Sequence, residues 1–201
     1  MIYLASRSPR RRELLAQIGV PFELLLFREG ARQDDDTDES VLSGEGAGAY
    51  VRRVATLKAR AAWKRVGMRK GLKRLPVLTA DTTVVVGNEI LGKPENPLDA
   101  RRMLMKLSGA RHHVFTAVAV AFEQRCELAL NESIVTFGPL DEDWVEAYLE
   151  SGEPFDKAGG YGIQGRAGAF VEKLEGSYTG VMGLPLYETA RLLREFGLTV
   201  P

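Results

Sequence analysis

The chain has 201 residues, 45% of them hydrophobic and 8% aromatic, with Lys+Arg 27 balancing Asp+Glu 27. That length fits a domain with a proper core, and the neutral balance counts against a grip on long nucleic acid, which calls for a basic excess. A single cysteine, Cys126, allows neither an internal disulfide nor a cysteine-based metal site, and no run nears the roughly 18 apolar residues of a membrane span.

The opening MIYLA reads as a short buried strand, too short for the apolar core of a signal peptide. A soluble protein of the reducing cytoplasm is expected. Ser8 and Pro9 then start a helix, serine as cap and proline at the first helical position. Leu14, Leu15 and Ile18 give it an apolar stripe, and Gly19 with Pro21 stops it. PFELLLF predicts a second strand, and the acidic, glycine-rich segment after it predicts a surface loop. Tyr50, Val54, Leu57 and Ala61 recur at helical spacing and predict a helix over 49–66. RLPVLTADTTVVVGNEIL predicts a strand and a hairpin turned at Gly87-Asn88. A helix over 98–108, two long strands (HVFTAVAVAF and CELALNESIVTF) and the acid-led helix LDEDWVEAYLE follow. The glycine-rich SGEPFDKAGGYGIQGRAGAF, a strand AFVEKLEG and the helix LPLYETARLLREFG complete the chain. Alternating strands and helices with hairpins in the middle predict an α/β fold on a mixed sheet with flanking helices.

Four arginines, Arg7, Arg10, Arg11 and Arg12, crowd the first helix start, where the dipole and unsatisfied N–H groups favour acids. Two readings stand: a solvated basic turn paired with acids of the 34–38 region, or a site for an anion, usually phosphate. Charge-assisted hydrogen bonds of roughly 1.5–3 kcal/mol each would outweigh a dipole penalty of about 1 kcal/mol or less. The three consecutive arginines fan around the helix, so they cannot all face one ligand.

Asp81, within the apolar run LTADTTVVV, is costly unless it is paired, metal-bound or at an open strand end. It is a candidate general base or metal ligand, with the hydroxyls of Thr82 and Thr83 beside it. Lys93 in GKPEN and Lys58 on the polar side of the 49–66 helix are either surface lysines or part of a cationic phosphate cradle. Gln164, between glycines in YGIQG, offers a donor and an acceptor side by side, which suits the acceptor–donor–acceptor edge of uracil or thymine. Glu153 and Asp156 are a loop carboxylate pair open to a metal or to solvent. His112 and His113 lack partners at metal-site spacing, and His112 is expected in the core or behind the site. Neither a P-loop nor a nucleophile elbow occurs.

Taken in order, LASRSPRRRELL, LTADTTVVVGNEILGKPEN, LSGARHHVFTAVAV and EPFDKAGGYGIQGRAGAFVEKLEGSYTGVMGLPLYET resemble the signature blocks of the Maf nucleotide pyrophosphatases over nearly the whole chain. The resemblance implies an elongated mixed-sheet fold akin to the inosine-triphosphate pyrophosphatases, a single domain over 1–201 with two lobes around a cleft, and a homodimer. It implies hydrolysis of a nucleoside triphosphate to monophosphate and pyrophosphate with a divalent cation, Mg²⁺, Mn²⁺ or Co²⁺. Asp81 matches the family's proton acceptor and is the expected metal ligand. Arg10, Thr82 and Gln164 match positions tied to substrate choice, and Ser8, Arg11, Lys58 and Lys93 match substrate-binding positions around the phosphates. DKAGGYGIQG looks like the branch acting on dTTP and UTP, with the 7-methyl-GTP branch as the alternative. The family's acidic V-D-E-like element is replaced here by LLFREGARQDDD, where Glu29, Asp34 or Asp35 could stand in for it.

The expected reaction is in-line attack of water on the α-phosphorus, with Asp81 as base and the cations stabilising the departing pyrophosphate. Neither nucleic acid nor membrane is expected as a partner. A nucleotide-sensing regulatory protein linked to septum formation is the reading from another class, and an oligonucleotide binder built on the arginine turn is a third.

Overall fold

The computed structural model describes residues 1–26 and 38–200. Among the described residues seven strands form one mixed sheet: β1 (Ile2–Leu4), β2 (Phe22–Leu24), β3 (Val77–Val86), β4 (Glu89–Leu91), β5 (Arg111–Phe122), β6 (Arg125–Phe137) and β7 (Val171–Glu175). Their order is β2-β1-β3-β5-β6-β7, with β4 paired to β3. β1 runs parallel to both β2 and β3, while β3–β4 and β6–β7 are antiparallel. The helices are α1 (Pro9–Gln17), α2 (Ala47–Met68), α3 (Pro97–Leu107), α4 (Glu142–Glu150), α5 (Tyr178–Met182) and α6 (Leu186–Glu195). The expected mixed α/β class is what the chain adopts.

The helix ends follow their sequence signals. Ser8 accepts a hydrogen bond from the Arg11 amide (3.4 Å), Asn96 from Asp99 (2.9 Å) and Asp141 from Trp144 (2.8 Å), each satisfying an otherwise orphaned donor. Gly19 ends α1 with φ of 67°.

Contacts divide the described residues into two compact units. One comprises Met1–Asp81, Thr116–Leu130 and Gly183–Pro201, the other Thr82–Phe115 and Asn131–Met182. In the first, α2 buries Val51, Val54, Ala55, Ala59, Ala62 and Val66, the last two in a cluster with Tyr3, Leu25 and Val77. The buried stripe is thus rotated from the expected Tyr50–Val54–Leu57–Ala61 face: Tyr50, Leu57 and Ala61 are only half-buried. Small alanines let the helix sit close to its neighbours, which a search for large apolar residues passes over. Strand β2 is also shorter than PFELLLF suggests, although Leu25 is buried and its amide still reaches the Leu4 carbonyl (3.0 Å). Lone Cys126 is half-buried rather than sealed in the core.

The second unit is built around Phe137, which meets Tyr161 (4.8 Å between ring centroids) and His112 (5.0 Å) edge-on. Leu104, Leu107, Val135, Val145, Tyr148 and Phe170 belong to the same cluster as Phe137 and Tyr161. His112 is fully buried, and its Nε2 pairs with the Tyr161 hydroxyl at 2.8 Å. Burial pushes the imidazole down from 6.5 to about 4, because the charged form loses its water.

The unfolded chain therefore takes up a proton at His112 in a pH range where the native state does not, so stability rises with pH between these two values and is lost as pH falls through them. Between pH 6.5 and 5 the wild type should lose roughly 1.5–2 kcal/mol from this group. Urea unfolding of His112→Asn should show a flatter pH dependence across that interval; an unchanged slope would count against the buried neutral imidazole.

Candidate active site

Within the first unit, β3 and α2 meet through two pairs of residues. The Thr79 hydroxyl donates to the Ala55 carbonyl (2.9 Å), and the Lys58 ammonium reaches Asp81 Oδ1 (2.9 Å). Residues two apart share a strand face and residues three apart share a helix face. One docking register therefore sets both contacts. Lys58 does not stand on a solvated outer face: it is half-buried, pointing at a carboxylate only 9% exposed.

A second carboxylate completes the cluster. Glu39 Oε2 lies 2.9 Å from the same Lys58 nitrogen, so two acids converge on one cation. The segment carrying Glu39 is tied to α2. Arg53 donates to the carbonyls of Asp38 (2.8 Å) and Ser40 (2.7 Å) and forks onto both oxygens of Glu45 (2.7 and 2.8 Å). The Tyr50 hydroxyl donates to the Glu39 carbonyl (3.0 Å). Burial, with the charges of Asp81 and Glu39, pushes the Tyr50 phenol up to about 12, so it stays a donor. The fork holds the Glu45 carboxyl below its usual range.

Ser8 opens α1 in the same unit. Arg11 then turns inward, its Nε donating to the Gly183 carbonyl and its Nη1 to the Ala80 carbonyl, both at 2.8 Å. Enclosure pushes this guanidinium down to about 10, against the charge of Asp81, which acts the other way. Arg11 thereby anchors the peptide next to Asp81, a role the basic run did not suggest. Arg10 and Arg12 are half-buried.

The other expected residues lie in the second unit. Thr82 follows Asp81 on β3 and is half-buried, whereas Lys93 and Gln164 are exposed. Lys93 sits between Gly92 and Pro94. The Gly92 carbonyl accepts from the Gly159 amide (2.9 Å), and a Cβ on Gly160 would stand 3.2 Å from Pro94. The loop of Lys93 and the glycine-rich segment leading to Gln164 are thus packed together. Glu153 and Asp156 do not form an open metal pair. Glu153 accepts from the Tyr148 hydroxyl (3.0 Å), and Asp156 pairs with Lys157 (2.5 Å).

A family model described as Maf-like protein matches residues 1–196. The chain belongs to the Maf family. A Maf relative from Cupriavidus metallidurans, named dTTP/UTP pyrophosphatase, is 55% identical over 98% of both chains. Another of that name, from Dechloromonas aromatica, is 54% identical over 98% of this chain and 97% of its own. A solved structure described as the Staphylococcus aureus Ham1 protein matches with a TM-score of 0.45 and 16% identity over 68% of this chain and 71% of its own.

The residue of the Asp81–Lys58 cluster that the sequence does not single out is Glu39. Its signal was the Asp38-Glu39 pair at the end of an acidic run, read as solvated. Glu29, Asp34 and Asp35, the expected acids, lie outside the described residues. Among the described residues no group of three or more His, Cys, Asp or Glu gathers at metal-binding distance. Asp81 and Glu39 nevertheless supply the hard oxygen donors that Mg²⁺ or Mn²⁺ takes alongside phosphate oxygens.

Arg11→Met would leave the Ala80 and Gly183 carbonyls without their partner, each at a cost of roughly 1–3 kcal/mol. Denaturant unfolding should show a stability loss of about 2–4 kcal/mol; a loss below about 0.5 kcal/mol, the scale of an ordinary surface change, would contradict the anchoring role.

Proposed function

We propose that this chain hydrolyses dTTP and UTP to the nucleoside monophosphate and pyrophosphate. The observation that carries the reading is near-full-length identity above one half with relatives of that name. The Asp81–Lys58–Glu39 cluster supplies chemistry that suits it.

A water in line with the α-phosphorus gives its proton to Asp81, whose Oδ1 pairs with Lys58 at 2.9 Å. The Lys58 ammonium stabilises charge as the bridging oxygen departs with pyrophosphate. The α1 N-terminus with Ser8 and Arg10 offers N–H groups and a guanidinium to the phosphates. Arg11 serves the site by fixing the Ala80–Asp81 peptide. Thr82, Lys93 and Gln164 are nucleotide contacts on the family resemblance, Gln164 reading the pyrimidine edge by its carboxamide.

Asp81 and Glu39 would hold the divalent cation, which when bound neutralises triphosphate charge. A homodimer and a cytoplasmic place follow from the same resemblance. No helix among the described residues is long and apolar enough to cross a membrane. Strands β3, β5 and β6 each contribute residues to both compact units, which supports treating 1–201 as one domain.

A panel of nucleoside triphosphates with Mg²⁺, Mn²⁺ or Co²⁺, scored for pyrophosphate and orthophosphate, tests the reaction. Pyrophosphate should appear first and pyrimidine nucleotides should lead; orthophosphate as the sole first product would refute it. Asp81→Asn keeps shape and removes basicity, so kcat should fall by about 10²-fold or more with nucleotide binding retained. Full turnover in that variant would remove Asp81 from the role of base.

A further inference from the structure

The turn carrying Gln164 is rich in glycine, yet its backbone is tied at both ends. The Gly162 amide donates to the Tyr148 hydroxyl (3.2 Å), which in turn donates to Glu153 Oε1 (3.0 Å). The other Glu153 oxygen accepts from the Arg166 amide (3.1 Å). One tyrosine and one carboxylate therefore bracket residues 162–166, with Gln164 at the centre.

Shape enforces the same arrangement. A Cβ on Gly165 would overlap the Glu153 carboxylate, so the backbone passes directly against that group. A Cβ on Gly162 would press on Lys157 Cε (2.8 Å) and stand 3.4 Å from Gln164 Nε2. Lys157 is itself fixed, its ammonium donating to the Glu153 carbonyl and to Asp156 (both 2.5 Å). Just ahead of the turn, Tyr161 is locked by His112. Tyr148 is buried at 2% exposure and Glu153 is half-buried, which makes the bracket costly to break.

We infer that Tyr148 and Glu153 are positioning residues for base selection: they never touch the nucleotide, but they fix the 162–166 turn so that Gln164 presents its carboxamide in one orientation to a pyrimidine edge. The inference rests on the proposed role of Gln164 in reading that edge. A carboxamide discriminates only when its donor and acceptor are held in place. An exposed glutamine between glycines would otherwise lose that selectivity to rotation of the chain beneath it.

The test compares Tyr148→Phe, Glu153→Gln and Gln164→Ala in the full-length protein. The readouts are kcat/KM for dTTP relative to dGTP, and hydrogen exchange at the Gly162 and Arg166 amides. Tyr148→Phe removes the hydroxyl that joins Gly162 to Glu153, and Glu153→Gln weakens both of its accepted bonds while keeping shape. The dTTP preference should fall about five- to tenfold in each, chiefly through KM. Amide exchange should quicken at Gly162 in the first and at Arg166 in the second. Gln164→Ala should lose at least as much preference with both amides still protected.

Unchanged preference in the two bracket variants, with Gln164→Ala strongly affected, would overturn the positioning role and leave the reading of Gln164 intact. Unchanged preference in Gln164→Ala would overturn that reading itself, and the inference with it. Should Tyr148→Phe unfold, Glu153→Gln carries the test, because it deletes no atoms from the core.

Discussion

The ammonium of Lys58 held between Asp81 and Glu39 is the contact on which the first unit's chemistry depends. Asp81 belongs to a largely buried strand, and a carboxylate there is tolerable only if it is paired. Lys58 supplies that pairing from a different element, so the strand and α2 must meet in one register. Thr79 and Ala55, one step back along each element, share the same register. Glu39 balances the cation from its other side, and Arg53 and Tyr50 hold the segment that carries it. A lysine between two acids also orients them: it fixes one oxygen of Asp81 at 2.9 Å and one of Glu39 at the same distance.

Much of this was legible in the chain. The desolvation argument singles out Asp81 without any structure, and the Ser8-Pro9, Asn96-Pro97 and Asp141 helix starts are where capping chemistry puts them. The partners of Asp81 were harder to read. Lys58 looks like a surface residue because the apolar stripe of its helix is written in alanines, Ala55, Ala59 and Ala62, and these carry little hydrophobic signal. Taking Tyr50 and Leu57 as the inward face rotates the helix and sends Lys58 outward. Glu39 sits in a run of acids that composition marks as solvated, and only the folded chain shows its carboxylate reaching Lys58.

The arginine run and the glycine-rich segment each have long-range partners that local sequence does not show. Four arginines at a helix start suggest either a solvated basic turn or an anion site. Yet Arg11 spends two donors on main-chain carbonyls and stiffens the peptide beside Asp81. The glycines from 159 to 168 suggest mobility, but several are there because something stands where a side chain would go: Val84 against Gly159, Glu153 against Gly165. Their absence of side chains is a packing requirement, and the turn they build is held by hydrogen bonds. Local sequence shows which backbone can bend; it does not show which long-range partner then fixes the bend.

The central claim is that water, activated by Asp81, attacks the α-phosphorus of a pyrimidine nucleoside triphosphate. The most direct measurement is a single turnover of dTTP in ¹⁸O-water, followed by mass analysis of both products. The account predicts one ¹⁸O atom in the phosphate of dTMP and none in pyrophosphate. Label in pyrophosphate would place the attack on the β-phosphorus, and label in neither product would mean that a group of the protein, not water, attacks the nucleotide; either result would contradict it.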